Sequence, residues 1–325
     1  MRFLAVLLTL LAIASCAGVP PPPPVGAGSL WMDAGIFGPV LQTIDGARQR
    51  VLVEMYEFGR TDLEALLVAA QGRGADVRAV LDPTVADSVA TGRRLAVRGV
   101  AVRFYPVDDR AGQIDHVKLV IGDSRAVLGG MNWGLHSERN HDYALVLAGG
   151  PQLARLLAVF EQDWALAGGD PRPLPHVREA IAQTAPGSEI RELLTDVLAG
   201  ARSRVEAEVF DLTDPDLLLQ LRVAAGRGVR VRVILPAPSG PDRDAPGVAR
   251  ISAAGAQVHR LAQSYLYVHA KAIVADGRRA FVGSENLSTA SLDHNREVGV
   301  IVADPGAIQT LESTFDGDWA QASGA

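Results

Sequence analysis

The chain has 325 residues, 48% of them hydrophobic and 21% charged, with a formal net charge of −6 and a pI near 5.7. That is the composition of a globular protein with room for two ordinary domains or one large one. No basic domain or stripe shows in the bulk charge, which speaks against nucleic acid as the main substrate and leaves open only a local arginine-lined groove.

The first predicted element is an export signal. Arg2 precedes the apolar run Phe3 to Ile13, which has signal-peptide length and is too short to span a bilayer. Ile13-Ala14-Ser15-Cys16 follows, and Cys16 is the only cysteine. Residues 1–15 therefore read as a lipoprotein-type signal that leaves Cys16 first and free for lipidation. Ordinary cleavage after Ala12-Ile13-Ala14 fits a small-x-small site as well. The lipoprotein reading is favoured because a lone thiol in an exported chain otherwise lacks a role. Pro20 to Pro24 form a stiff extended spacer, so residues 16–29 read as a tether. The expected location is the cell envelope, with the body held off a membrane by a lipid anchor.

The rest of the chain is a repeat. Arg50-Val-Leu-Val-Glu-Met-Tyr-Glu-Phe58 matches Arg204-Val-Glu-Ala-Glu-Val-Phe-Asp-Leu212. A Leu- and Ala-rich helical stretch follows in each half (Leu63 to Ala70; Leu217 to Ala225), and a Gly-Arg-Gly stops it. Val77 to Leu81 and Val229 to Leu235 then alternate as strands do. A helix end, a glycine cap and a short strand come next in both halves, at Leu95 to Arg103 and Ile251 to His259. Each half closes on an aromatic and Asp-Trp, ending at Trp164 and Trp319. The period is far too long for a solenoid and fits two fused copies of one α/β domain. The expected lobes are residues 30–170 and 171–325, joined near Gly168 to Pro173. Strands alternating with helices predict a mixed sheet flanked by helices in each lobe.

Between these elements lies the chemistry. The chain has only two lysines, Lys118 and Lys271, and each stands two residues after a histidine. His116-x-Lys118-x4-Asp123 recurs as His269-x-Lys271-x4-Asp276. A chain that otherwise uses arginine keeps a compact ammonium point charge at these two positions. On a strand, residues i and i+2 share a face, so His269 and Lys271 project together from Tyr265 to Ala275, as do His116 and Lys118. The following strands (Ala126 to Leu128; Ala280 to Val282) lead to Gly-Gly-Met-Asn132 and Gly-Ser-Glu-Asn286. The asparagines can donate to an anion, and the small residues let backbone approach closely.

Two histidines, two lysines and two asparagines suit a phosphodiester. Lys118, Lys271, Asn132 and Asn286 can hold nonbridging oxygens. One histidine can attack phosphorus while the other protonates the leaving oxygen and then activates water or an alcohol. Each histidine needs an acceptor for its other ring nitrogen. Asp142 and Glu297 stand at matching places after the asparagines.

At these residues the chain resembles the phospholipase D superfamily, over residues 30–325 and with both motifs complete. The resemblance implies two phospholipase D-like lobes in a pseudo-twofold pair with one active site between them. It implies a monomer, and no metal. It also implies His116 as nucleophile and His269 as acid and base, with Asp123 and Asp276 completing the catalytic set as orienting groups. Gly129-Gly-Met-Asn132 is similar to the first motif of cardiolipin synthases. The expected function is a phosphodiesterase that hydrolyses or transfers phospholipid head groups through a phosphohistidine. The alternatives are a phosphatidyltransferase of cardiolipin synthase type, an exported nuclease of the superfamily, and a non-catalytic lipoprotein that binds phosphate-bearing ligands.

The remaining features carry less. Trp133, beside Asn132, has only Leu287 as counterpart and is expected to line the substrate groove. Trp164 and Trp319 read as core. His136, His141 and His294 read first as loop residues, and His176 and His259 as surface groups. Cys/His metal spacing and a Gly-rich loop ending in Lys-Ser/Thr are both absent, so neither a metal nor a nucleotide cofactor is expected.

Overall fold

The computed structural model describes residues 28–185 and 187–324. The export-like segment, Cys16 and the proline tether lie outside the described residues. In chain order the first half contains β1 (Ser29–Met32), α1 (Phe37–Gly46), β2 (Arg50–Met55), α2 (Thr61–Gly72), β3 (Asp76–Leu81), α3 (Ala86–Val97), β4 (Ala101–Phe104), β5 (Lys118–Ile121), β6 (Arg125–Gly129), β7 (Asn140–His141), β8 (Tyr143–Ala148) and α4 (Gly150–Ala167). The second half contains β9 (Ile181–Gln183), α5 (Glu189–Gly200), β10 (Arg204–Val209), α6 (Pro215–Gly226), β11 (Arg230–Pro236), α7 (Ala245–Ser252), β12 (Gln257–Leu261), β13 (Tyr267–Val268), β14 (Lys271–Ala275), β15 (Arg279–Gly283), β16 (Val298–Val302), α8 (Pro305–Gln321) and β17 (Ser323–Gly324).

Two mixed sheets result. The first runs β1-β8-β6-β5-β2-β3-β4 and the second β17-β12-β11-β10-β14-β15-β16-β9. The orders superimpose, β8 on β16 and β2 on β10, with β17 as an added edge. In both, the two βαβ crossovers give parallel pairs (β2 with β3 and β3 with β4; β10 with β11 and β11 with β12), while the hairpin carrying the His-Lys motif is antiparallel. The helix stops form as the glycines require. Gly74 and Gly228 take φ of +91° and +85°, and their N–H groups bond back to Gln71 and Ala225.

Alternation along the strands decides the layers. Leu119 and Ile121 on β5, and Ala272 and Val274 on β14, enter one shared core that also takes α4 and α8. Val120 and Ile273 point the other way, into separate outer cores under α1–α3 and α5–α7 respectively. The molecule is therefore helices, sheet, shared core, sheet, helices, with the two lobes facing each other.

Two short parallel pairings stitch the lobes along the seam. Asp115 bridges Arg296, with His116 N donating to Arg296 O at 2.8 Å and Arg296 N to Ile114 O at 2.9 Å. Its twin is β13 with β7, where His269 N donates to His141 O at 2.9 Å. This seam corrects one expectation. The strand from Tyr265 to Ala275 is not continuous, because Tyr267 and Val268 leave their own sheet to pair with the other lobe. His269 and His116 sit just before β14 and β5, and only the lysines begin those ladders.

Candidate active site

The seam brings both His-Lys motifs together and crosses their partners. His116 Nδ1 lies 3.1 Å from both Oε1 and Oε2 of Glu297, from the opposite lobe. His269 Nδ1 lies 2.7 Å from Asp142 Oδ2, again across the seam. Each carboxylate therefore orients the other lobe's imidazole through its Nδ1. Spacing along the chain could not reveal the crossing. In the second lobe Ser284 Oγ donates to Glu297 Oε2 at 2.5 Å. In the first, Gly130 takes that position because a Cβ there would stand 2.1 Å from Asp142 Oδ1. Ser284 was not singled out from sequence. Its signal was the first of two mismatches between the Gly-x-x-Asn motifs, Ser284 against Gly130, the other being Glu285 against Met131.

Both lysines are buried, and both cap the chain beside their histidines. Lys118 Nζ donates to His116 O at 2.5 Å, and Lys271 Nζ to His269 O. Lys271 Nζ also lies 3.2 Å from His269 Nε2. Tyr56 and Phe210, equivalent in the repeat, flank the site. The ring of Tyr56 meets His116 edge-on at 4.8 Å, and that of Phe210 lies 5.3 Å from His269.

The electrostatics are those of an anion site without its anion. Burial pulls Lys118 down to about 7 against the pull of Glu297, with Lys271 lowering it further. Burial likewise pulls Lys271 to about 8. His269 falls to about 4, by burial first and the Lys271 charge second, with Asp142 opposing. His116 is lowered by burial, with Glu297 opposing. Each histidine feels both lysines. An anion bound here would raise the pKa of all four groups.

The asparagines flank this centre. Asn132 is 6% exposed, and both it and Asn286 keep a buried Oδ1 without a hydrogen-bond partner. Glu285, beside Asn286, is fully buried, and its carboxyl is pushed well above the usual range, by burial first and by the Glu297 charge second.

The other candidates are placed elsewhere. Asp123 accepts from the backbone N–H groups of Arg48, Gln49 and Arg50, and Asp276 from those of Arg202, Ser203 and Arg204. Those bonds hold both carboxylates below the ordinary range, Asp276 at about 2, against a desolvation that pushes upward. Asp123 and Asp276 close the far end of the hairpin, roughly 16 Å of strand from the lysines. They tie it to the strand beside it and do not touch the reacting groups. Trp133 is corrected too. It is 2% exposed, packs edge-on against Phe58 at 5.0 Å, and lies in the outer core rather than in a groove. Its counterpart Leu287 is equally buried, so the pair is a packing position in both lobes.

His141 is the third correction, since it is no loop residue. It is 2% exposed, with Nδ1 2.8 Å from Asp33 Oδ1 and Nε2 3.0 Å from Tyr143 Oη, which in turn donates to Glu208 at 2.7 Å. Asp318 Oδ2 lies 3.3 Å from Nε2. Ligand atoms of His141, Glu208 and Asp318 lie within 4.8 Å of one another. At the equivalent place on the other side, the guanidinium of Arg296 fills the space between Glu54 and Asp163. The cation required between the carboxylates of this cluster is therefore already present as the imidazolium of His141.

Comparison with known proteins agrees with this geometry. The family model described as cardiolipin synthase, PLD-like domain, matches residues 40–164 and 194–319. Cardiolipin synthase 2 of Bacillus anthracis is 26% identical over 330 residues, covering 88% of this chain and 63% of that protein. Cardiolipin synthase B of Escherichia coli K12 is 27% identical over 325 residues, covering 86% of this chain and 76% of that protein. The chain thus spans a little under two thirds of the first of these relatives. Among solved structures, phosphatidylserine synthase from Haemophilus influenzae Rd KW20 superimposes with a TM-score of 0.72 at 11% identity, covering 94% of this chain and 89% of that one. At that identity the likeness concerns the fold alone. Among the described residues no helix is long and apolar enough to cross a membrane. With two matched repeats over most of its length, the chain belongs to the phospholipase D superfamily, in the family of cardiolipin synthase PLD-like domains.

Proposed function

We propose that this protein transfers the phosphatidyl group of a phospholipid from its head-group alcohol to an acceptor alcohol, through a phosphohistidine. The observation that carries the reading is the crossed pair of buried histidines, each oriented by a carboxylate of the other lobe and each beside a buried lysine. His116 Nε2 attacks phosphorus, and the bond from phosphorus to the head-group oxygen breaks. His269 gives its proton to that oxygen. An acceptor hydroxyl then returns a proton to His269 as it attacks, and the bond from phosphorus to nitrogen breaks. Lys118 and Lys271 stabilise the charge on the nonbridging oxygens in both steps. The phosphate itself raises the pKa of His269, so that the acid carries its proton when the substrate is bound.

The sequence alone put hydrolysis first, and water as acceptor gives that outcome by the same path. Transfer is preferred because the similar proteins are named as cardiolipin synthases. A lipid substrate is further supported by the rim. Leu135 and Tyr267 line the cavity beside His269, and both are exposed. The reading takes the reaction to the cell envelope, supported by the export-like segment and Cys16. The test is to give the full chain mixed phospholipid vesicles with glycerol and follow the lipids by mass spectrometry. Head-group-exchanged lipid in the wild type, lost in His116→Ala, is the expected result, with the ratio of exchanged lipid to phosphatidic acid ranking transfer against hydrolysis. Lipid left unchanged by the wild type would refute the reading.

A further inference from the structure

Beside His269 opens a cavity of about 350 Å³ whose charge is opposite to that of the phosphate site. Glu57 and Asp87 line it, with Asn132 and Tyr267. No lysine or arginine is among the residues that line it. Glu57 is half-buried, and its carboxyl is raised, by burial first and then by the charge of Asp87. Lys118 and a hydrogen bond from Asn132 oppose that shift only in part. Two carboxylates that repel each other in one cavity call for a cation or a proton.

Asn132 supplies an independent observation. It is 94% buried, and its amide serves Glu57 while its Oδ1 has no partner. An amide nitrogen carries two hydrogens, so the second remains for a phosphate oxygen, and Oδ1 remains for a donor. The cavity thus offers acceptors on Glu57, Asp87 and Asn132, with the polar side chains of His136, Ser137 and Asn140 beside them and Tyr267 as its one six-membered aromatic ring. A primary ammonium has three N–H donors and one positive charge, which matches that set. A quaternary ammonium has no donors and needs a cage of aromatic faces, where this cavity has a single tyrosine. A neutral polyol can donate but does nothing to relieve the repulsion between the carboxylates.

We infer that this cavity is a head-group subsite for a primary ammonium, so that the phospholipid it selects carries an aminoalcohol esterified to the phosphate held by Lys118 and Lys271. The inference rests on the phosphatidyl-transfer reading for its phosphate end. The two lobes differ here, since the equivalent of Glu57 in the second lobe, Asp211, lines a different cavity with Arg243 among its walls.

Binding separates this inference from the reaction. The full chain is titrated calorimetrically with phosphoethanolamine and, separately, with glycerol phosphate, in wild type and in the near-isosteric variants Glu57→Gln and Asp87→Asn. The expected result is a preference for phosphoethanolamine of about tenfold in the wild type, falling toward parity in either variant. Equal affinities in the wild type, or a preference that survives both substitutions, would overturn the subsite. Vesicles containing equal phosphatidylethanolamine and phosphatidylglycerol are assayed alongside. Selective binding with no turnover of either lipid would sink the transfer reading and leave the subsite standing. Turnover with indifferent binding would do the reverse.

Discussion

Two buried polar clusters sit at equivalent places in the lobes, and they differ in one residue. In the first, Arg296 reaches across the seam to Asp163 at 2.6 Å, with Glu54 at 3.9 Å. In the second, His141 reaches across the other way to Glu208 and Asp318. The triplets Asn140-His141-Asp142 and Asn295-Arg296-Glu297 thus do two jobs each. The third residue orients the histidine of the opposite lobe's His-Lys motif, and the second plugs the opposite lobe's buried carboxylates. The repeat shows that what the fold needs there is a cation. A guanidinium supplies it permanently, and an imidazole supplies it only while protonated.

The largest expected effect tests the symmetry at the reacting groups themselves. His116→Ala and His269→Ala should each lower turnover by about 10⁴-fold, and the double variant should be little worse, because the pair acts as one unit. Single-turnover assays on labelled phospholipid measure this. Multiplying losses in the double variant would mean the histidines work independently, and the single shared site would be wrong.

The next comparison is structural. Arg296 is fully buried, and Asp163 depends on it. Burial first, and then Asp163 and Asp115, push the Glu54 carboxyl well above the usual range. Arg296→Met leaves one buried carboxylate unpaired and should cost about 3–5 kcal/mol. His141→Met should cost less. Asp318 already stands at about 6, by burial and then the Glu208 charge, and can take up a proton when the cation is lost. Urea unfolding of both variants ranks them, and equal losses would break the distinction between the clusters.

The same difference predicts a pH dependence. Burial lowers His141, but the bonds to Asp33 and Glu208 outweigh it and bring it to about 11. Its unfolded value is about 6.5. A raised folded pKa contributes stability fully below the unfolded value and loses it as pH rises through the folded one, here from about 6.5 upward to about 11. Lys118 and Lys271 work in the opposite sense over part of that range, since their depressed values make the folded state gain as they lose protons. The comparison is therefore between wild type and His141→Arg, in which only the first effect is removed. The melting temperature of the variant relative to wild type should rise steadily between pH 7 and pH 10. A constant difference would show that His141 is not the titrating group.

How far the sequence could lead is visible in the same residues. The repeat, the mixed sheets and the His-Lys pairs follow from periodicity and spacing, which are local. The swap across the seam is not local. No pattern along the chain says that Asp142 serves His269 and Glu297 serves His116, because a duplicated sequence permits either pairing. Trp133 misled for a related reason. A large aromatic beside a motif asparagine looks like a groove wall until the outer core is seen to need volume there. His141 stood in a polar, loop-like stretch, and only Glu208 and Asp318, far away in sequence, reveal it as a buried cation. The aspartates closing the hairpins were legible in kind, because a carboxylate at a turn followed by glycine or serine commonly serves backbone donors.

The smallest effect concerns the mismatch of Ser284 with Gly130 within the motifs. Ser284 donates to Glu297, whereas Gly130 leaves room for Asp142. Removing the hydroxyl in Ser284→Ala takes one charge-assisted bond from the group that orients His116. Turnover should fall roughly tenfold while KM changes little, because the lysines that hold the phosphate are untouched. The reciprocal change, Gly130→Ser, is not its mirror image. A Cβ there meets Asp142 Oδ1 at 2.1 Å and must push that carboxylate off His269. It should therefore cost more than Ser284→Ala, and Gly130→Ala should cost as much as Gly130→Ser, since volume rather than polarity does the damage. If Gly130→Ser instead kept full turnover, the first lobe would tolerate the second lobe's arrangement, and the asymmetry would be neutral divergence rather than a requirement of the shorter aspartate.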